Sequence, residues 1–233
     1  MSDLARRSLA EAIATFMLVF VGVGAIAGDL LGSGIGLPGV ALAFGFVVAS
    51  MVYAIGHLTG AHLNPAVTVA FWSAGKFPLS DVPAYISAQC VGATAAAALL
   101  HVLVGLDPAI GTTVPSNGLA LAWTIEVIIT FSLMFVIASV ATDDRSVPGF
   151  AGVAIGMAVS MGALAGGPFS GGSMNPARSL GPALVTGTWT DHWVYWTAPF
   201  IGAVLGAAAY EIVRVAGTRP AAEPDIPRPT TEV

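Results

Sequence analysis

Asn64-Pro65-Ala66 recurs as Asn175-Pro176-Ala177, 111 positions further along the chain. Each triplet reads as a helix start. Asparagine caps well because its side-chain oxygen accepts an otherwise orphaned amide of the first turn. Proline suits the first helical position, where an N–H would have no partner and φ is already helical. The first triplet is followed by Val67 to Ala74 and closed by Gly75; the second is followed by Arg178 to Thr186 and closed by Gly187. Glycine is favoured just past a helix C-terminus. The spacing therefore predicts two helices of about ten residues, roughly 15 Å long. That is about half of a ~30 Å bilayer core, too short to cross one.

A bilayer is the solvent that the composition demands. Hydrophobic residues make up 56% of the 233 residues and charged residues only 9%, against about 25% charged in ordinary globular domains. Between Leu30 and Gly75 there is no Asp, Glu, Lys or Arg. Too little charge is present to cover a soluble domain, so the chain reads as an all-α integral membrane protein. No basic cluster suggests nucleic acid. The single cysteine, Cys90, excludes an intrachain disulfide and a multi-cysteine metal site. Arg6-Arg7, an apolar run and Ala25-Ile26-Ala27 imitate a cleavable leader. The run is instead expected to stay as a span, because its pattern returns later.

Six spans are expected, near 8–28, 39–57, 83–104, 119–141, 148–165 and 193–216, with the short helices between the second and third and between the fifth and sixth. If both termini are cytoplasmic, Arg6, Arg7, Lys76, Arg145, Arg214, Arg219 and Arg228 all fall inside, and only Arg178 is left over. That asymmetry is the positive-inside pattern. Glu11-x-x-x-Thr15-Phe16 also matches Glu126-x-x-x-Thr130-Phe131, 115 positions apart. Three spans per half put the halves in opposite orientations, the inverted repeat of transport proteins with a site near the midplane. The expected organisation is one transmembrane domain over 1–216, with halves of about 8–105 and 119–216. A proline-rich tail over 217–233 is expected to be disordered.

Ionised groups within a membrane are expensive and functional by default. Glu11 and Glu126 hold equivalent repeat positions and are expected to accept amides of the loops before the short helices, since backbone at that depth needs partners. Arg178 sits on the second short helix. His62, two residues before Asn64, is expected to line the path past it. Nothing has metal-ligand spacing, and no phosphate-binding loop, dinucleotide fingerprint or nucleophile–base pair is present. No cofactor and no enzymatic activity are expected.

Asn64-Pro65-Ala66, Asn175-Pro176-Ala177-Arg178 and the repeated Glu-x-x-x-Thr-Phe resemble the aquaporin, or major intrinsic protein, family from about Leu9 to Tyr210. Gly166 to Ser179 resembles plant vacuolar members, and Gly39 to Gly45 resembles bacterial water channels. The resemblance implies six tilted helices plus two re-entrant half-helices, one pore per protomer and a homotetramer in the bilayer, taken here as a cell (inner) membrane. It implies that Asn64 and Asn175 face single-file water beside Pro65, Ala66, Pro176 and Ala177. Arg178 matches the outer-constriction arginine, and the other filter positions fall on Phe44, Ala163 and Gly172. Water-only bacterial members resemble one another in having histidine where this chain has Ala163. Ser179, Ala183, Tyr195 and Trp196 match the water type. The implied function is passive water conduction with exclusion of ions and protons. The alternative is a broader pore that also passes ammonia, hydrogen peroxide, urea or glycerol.

Overall fold

The computed structural model describes residues 1–105 and 110–214. The tail expected over 217–233, with Arg219 and Arg228, lies outside the described residues. Eight α-helices are α1 (Asp3–Gly28), α2 (Gly36–Thr59), α3 (Pro65–Ser73), α4 (Val82–Val104), α5 (Leu119–Thr142), α6 (Ala151–Ser170), α7 (Pro176–Thr186) and α8 (Val194–Val213). Six of them, all but α3 and α7, are long and apolar enough to cross a membrane. Large apolar side chains such as Ile13, Phe46, Val102, Ile128, Met157 and Ile212 face outward, as a lipid-contacting surface requires.

Helix pairs repeat between the halves: α1 packs on α4 as α5 packs on α8, and α2 meets α6 across the centre. Small residues permit these approaches. A Cβ on Gly45 would stand 2.5 Å from the Gly156 carbonyl, and one on Gly156 2.5 Å from that of Gly45. Gly92 against the Ala12 carbonyl has its counterpart in Gly202 against that of Val127.

Two spans run on past their expected C-terminal ends. A π-helical turn, Asp29–Ser33, extends α1 where a loop was expected, and the Asp29 carboxylate takes the Gly36 amide at 2.9 Å to start α2. The fifth span begins at Ala151 and continues through Gly166-Gly167-Pro168 to Ser170, where a break was expected. Pro168 falls in the last turn, which the Gly171 amide closes by donating to the Gly167 carbonyl at 3.1 Å despite the missing N–H of the proline.

One end of the bundle gathers the ionic contacts. Arg7 reaches Asp81 at 2.8 Å and Lys76 reaches Glu211 at 3.7 Å. Asp143, just past α5, takes Arg145 Nη2 at 2.6 Å and the Tyr210 hydroxyl at 2.8 Å. Arg178 lies toward the other end.

Candidate functional site

The loops leading into α3 and α7 are built alike. Ala61 (φ 48°) and Leu63 (φ 54°) are left-handed, as are their counterparts Gly172 (φ 57°) and Met174 (φ 54°). A backbone that alternates in this way cannot satisfy its own amides, and a carboxylate does so in each half. Glu11 accepts from the amides of His62 at 2.9 Å and Leu63 at 2.7 Å, from Thr59 Oγ1 at 2.7 Å and from Gln89 Nε2 at 2.9 Å. Glu126 accepts from the amides of Ser173 at 2.7 Å and Met174 at 2.8 Å and from Ser170 Oγ at 2.7 Å. Both glutamates are 0% exposed. Tyr85 and Tyr195 complete the frame, their hydroxyls donating to the carbonyls of Thr59 at 3.0 Å and Ser170 at 2.7 Å.

Both asparagine side chains are held at their oxygen and at their nitrogen. Asn64 Oδ1 takes the Ala66 amide at 2.8 Å. Asn175 Oδ1 takes those of Ala177 at 3.0 Å and Arg178 at 3.3 Å. Each Nδ2 crosses to the other loop, Asn64 to the Met174 carbonyl and Asn175 to the Leu63 carbonyl, both at 2.8 Å. An amide nitrogen has two protons, so one on each side chain stays available. The half-helices touch each other, with their N-terminal dipole ends at this junction.

Two cavities approach the junction from opposite ends of the bundle. One, about 810 Å³, opens beside Lys76 and Thr142 and is lined by His62, Asn64 and Asn175. The other, about 750 Å³, opens among Asp29, Leu30 and Ile110. The residues lining both are Phe44, Ala163, Gly172 and Arg178, the four expected at a filter. Pro65, Ala66, Pro176 and Ala177, which were expected to line the path, are instead buried in the helix starts; Val67 and Phe71 line the cavity there. His62 is packed among the rings of Phe71 and Phe77, both at 4.8 Å between centroids, with Nδ1 3.1 Å from Thr68 Oγ1.

At the constriction Arg178 is 4% exposed. Its guanidinium carbon stands 5.1 Å from the Phe44 ring centroid, and Nη1 donates to the Gly111 carbonyl. No ion pair forms at Arg178 among the described residues, so its charge is not neutralised by contact.

A profile of the family described as "Major intrinsic protein" matches residues 1–210. The chain belongs to the major intrinsic protein family. Members of this family are membrane channels, and the chain is an integral membrane protein of that kind. Aquaporin NIP1-4 of Oryza sativa subsp. japonica is 50% identical over 212 residues, which are 91% of this chain and 78% of that one. Aquaporin NIP3-1 of Arabidopsis thaliana is 46% identical over 218 residues, 90% of this chain and 68% of its own. The solved aquaglyceroporin from Plasmodium falciparum superposes with a TM-score of 0.82 at 26% identity, over 90% of this chain and 96% of that one. These plant relatives are of NIP type, not the vacuolar or bacterial water-channel types that the short stretches resemble; a motif shared across a family does not separate its branches.

Three contributors escape sequence reasoning. Gly22 makes room for Phe44, whose ring occupies the place its Cβ would take. Gly111 supplies the carbonyl to Arg178, and Thr113 Oγ1 reaches Ser179 Oγ at 2.8 Å. The only sequence clue to the last two is Gly111-Thr112-Thr113 itself, a short polar stretch between spans.

Proposed function

We propose that this major intrinsic protein is a passive channel that conducts water together with small neutral solutes, such as ammonia, hydrogen peroxide or urea, and rejects ions. The observation that carries the reading is the junction of the two cavities. Of its four residues, Ala163 brings only a methyl, and Gly172 presents backbone alone. Pore diameter and lining donors set selectivity in such channels, so this constriction is wider and more apolar than one holding a histidine. The likeness to an aquaglyceroporin and to NIP-type relatives supports the broader reading over water alone.

The asparagines give the mechanism. With Oδ1 and one N–H engaged, the remaining N–H of each donates to the oxygen of a passing molecule. A water held by both has its protons turned away along the bore, which interrupts a chain of proton-relaying waters. The half-helix dipoles and Arg178 oppose cations, as is known for aquaporin-type pores. We further infer that the Arg7, Lys76, Arg145 and Arg214 end is cytoplasmic, following the positive-inside rule, and that the chain assembles as a homotetramer.

Proteoliposomes in a light-scattering stopped-flow test the proposal. Shrinkage under an impermeant osmolyte should be much faster than in bare lipid. Reswelling should then follow with urea, and more weakly with glycerol. Water flux alone, with every solute rejected as by bare lipid, would overturn the broad-pore reading.

A further inference from the structure

We infer that Gly166, one layer behind the constriction, is the positioning residue that sets its bore. Gly172 has no side chain, but its effect is not simply a missing wall. With φ at 57°, a Cβ there would point away from the bore onto the backbone of α6, 3.1 Å from Ala163 Cα and 3.1 Å from the Gly167 nitrogen. The loop backbone at Gly172 therefore nests against α6, and what sets its depth is the surface it rests on. Gly166 lies in that surface, between Ala163 and Gly167. A Cβ on Gly166 would stand 3.2 Å from Gly172 Cα, closer than such contacts normally come.

Loop and helix differ in how they can respond. The helix is held by α2 and α5. The loop is fixed just beyond, where Ser173 and Met174 donate to Glu126, but the Gly172 amide has only a 3.3 Å contact with Ser170 Oγ. An added methyl at position 166 thus displaces Gly172 toward the bore by a few tenths of an ångström. Because Gly172 lines both cavities where they meet, the displacement narrows the tightest point. The methyl would also meet Ile129 Cδ1 at 2.7 Å, but that is the free end of a side chain on α5.

This inference rests on the proposed filter, and its test separates the two. The parent, Gly166→Ala, Ile129→Val and the double variant are reconstituted in the same lipid, and water and urea permeabilities are measured on each. Ile129→Val removes Cδ1, leaving on α5 only Ile125 Cγ2 at an ordinary 3.4 Å, so the close contact that the double variant retains is the one with Gly172. Gly166→Ala and the double variant should both show a urea-to-water ratio several-fold below the parent, and Ile129→Val should keep the parent ratio. An unchanged ratio in a reconstituted glycine variant, or a ratio restored in the double variant, would overturn the inference and leave the filter reading intact. Failure of both glycine variants to insert, while Ile129→Val does, would also overturn it, since the methyl would then cost far more than a small displacement. A parent that passes no urea would overturn the broad pore and this inference together.

Discussion

The Asn64 side-chain amide donates to the Met174 carbonyl at 2.8 Å, linking the two halves where the half-helices meet. Asn175 returns the bond to Leu63 at the same distance. Each asparagine therefore caps its own half-helix and fastens the opposite loop. Asn64→Ala removes a cap and leaves a buried carbonyl short of a donor. It should lower stability by on the order of 2–4 kcal/mol, read as thermal unfolding in detergent, and reduce water flux. A variant as stable as the parent would show that the cross-link carries no weight.

Glu126 and Glu11 are acceptors for several donors each, and glutamine cannot replace them. Its NH2 group would face an N–H where the second carboxylate oxygen had accepted. Glu126→Gln should therefore destabilise by on the order of 3 kcal/mol or more, and Glu11→Gln by a similar amount because the two loops are built alike. Equal yields and unfolding temperatures for parent and both variants would contradict the assignment.

Arg178 should matter for charge more than for water. Arg178→Val removes the cation at the constriction and leaves the half-helix ends in place. Water flux should persist, while a pH-sensitive dye inside the vesicles reports a proton or cation leak. Lost water flux with unchanged proton tightness would contradict this role.

The ionic end of the bundle makes a prediction about pH. Hydrogen bonds from Arg145 and then Tyr210 hold the Asp143 carboxyl below the ordinary carboxylate range. A depressed carboxylate contributes stability above its unfolded pKa of about 3.9 and loses it only as pH falls through the folded value. The stability gap between parent and Asp143→Asn should stay constant from about pH 8 to about pH 5 and shrink only below about pH 4. A gap that closes near neutrality would refute it.

Much of this was legible in the chain because it rests on local chemistry. Asn64 and Asn175 announce helix starts by capping rules, and the lack of charge between Leu30 and Gly75 announces a bilayer. Glu11 and Glu126 stand out because charge inside a membrane needs a reason. What was not legible depends on how distant backbone segments meet. Gly22 looks like any small residue of a span until Phe44 is seen to occupy its empty side. Gly111 lies in a stretch with no periodicity, so nothing marks its carbonyl as the partner of Arg178. The sign of φ at Gly172, which turns a Cβ toward α6, follows from the loop's anchoring to Glu126 and not from the glycine itself. The fifth span runs past its expected end near 165 because Pro168 falls in the last turn, where its missing N–H is tolerated.

Selectivity set at Phe44, Ala163, Gly172 and Arg178 is probed by Ala163→His. Histidine adds bulk and a donor at a position that lines both cavities. Parent and variant are compared in the same proteoliposomes for water under an impermeant osmolyte and for urea. Urea permeability should fall several-fold more than water permeability. Equal losses of the two, or no change in either, would contradict it.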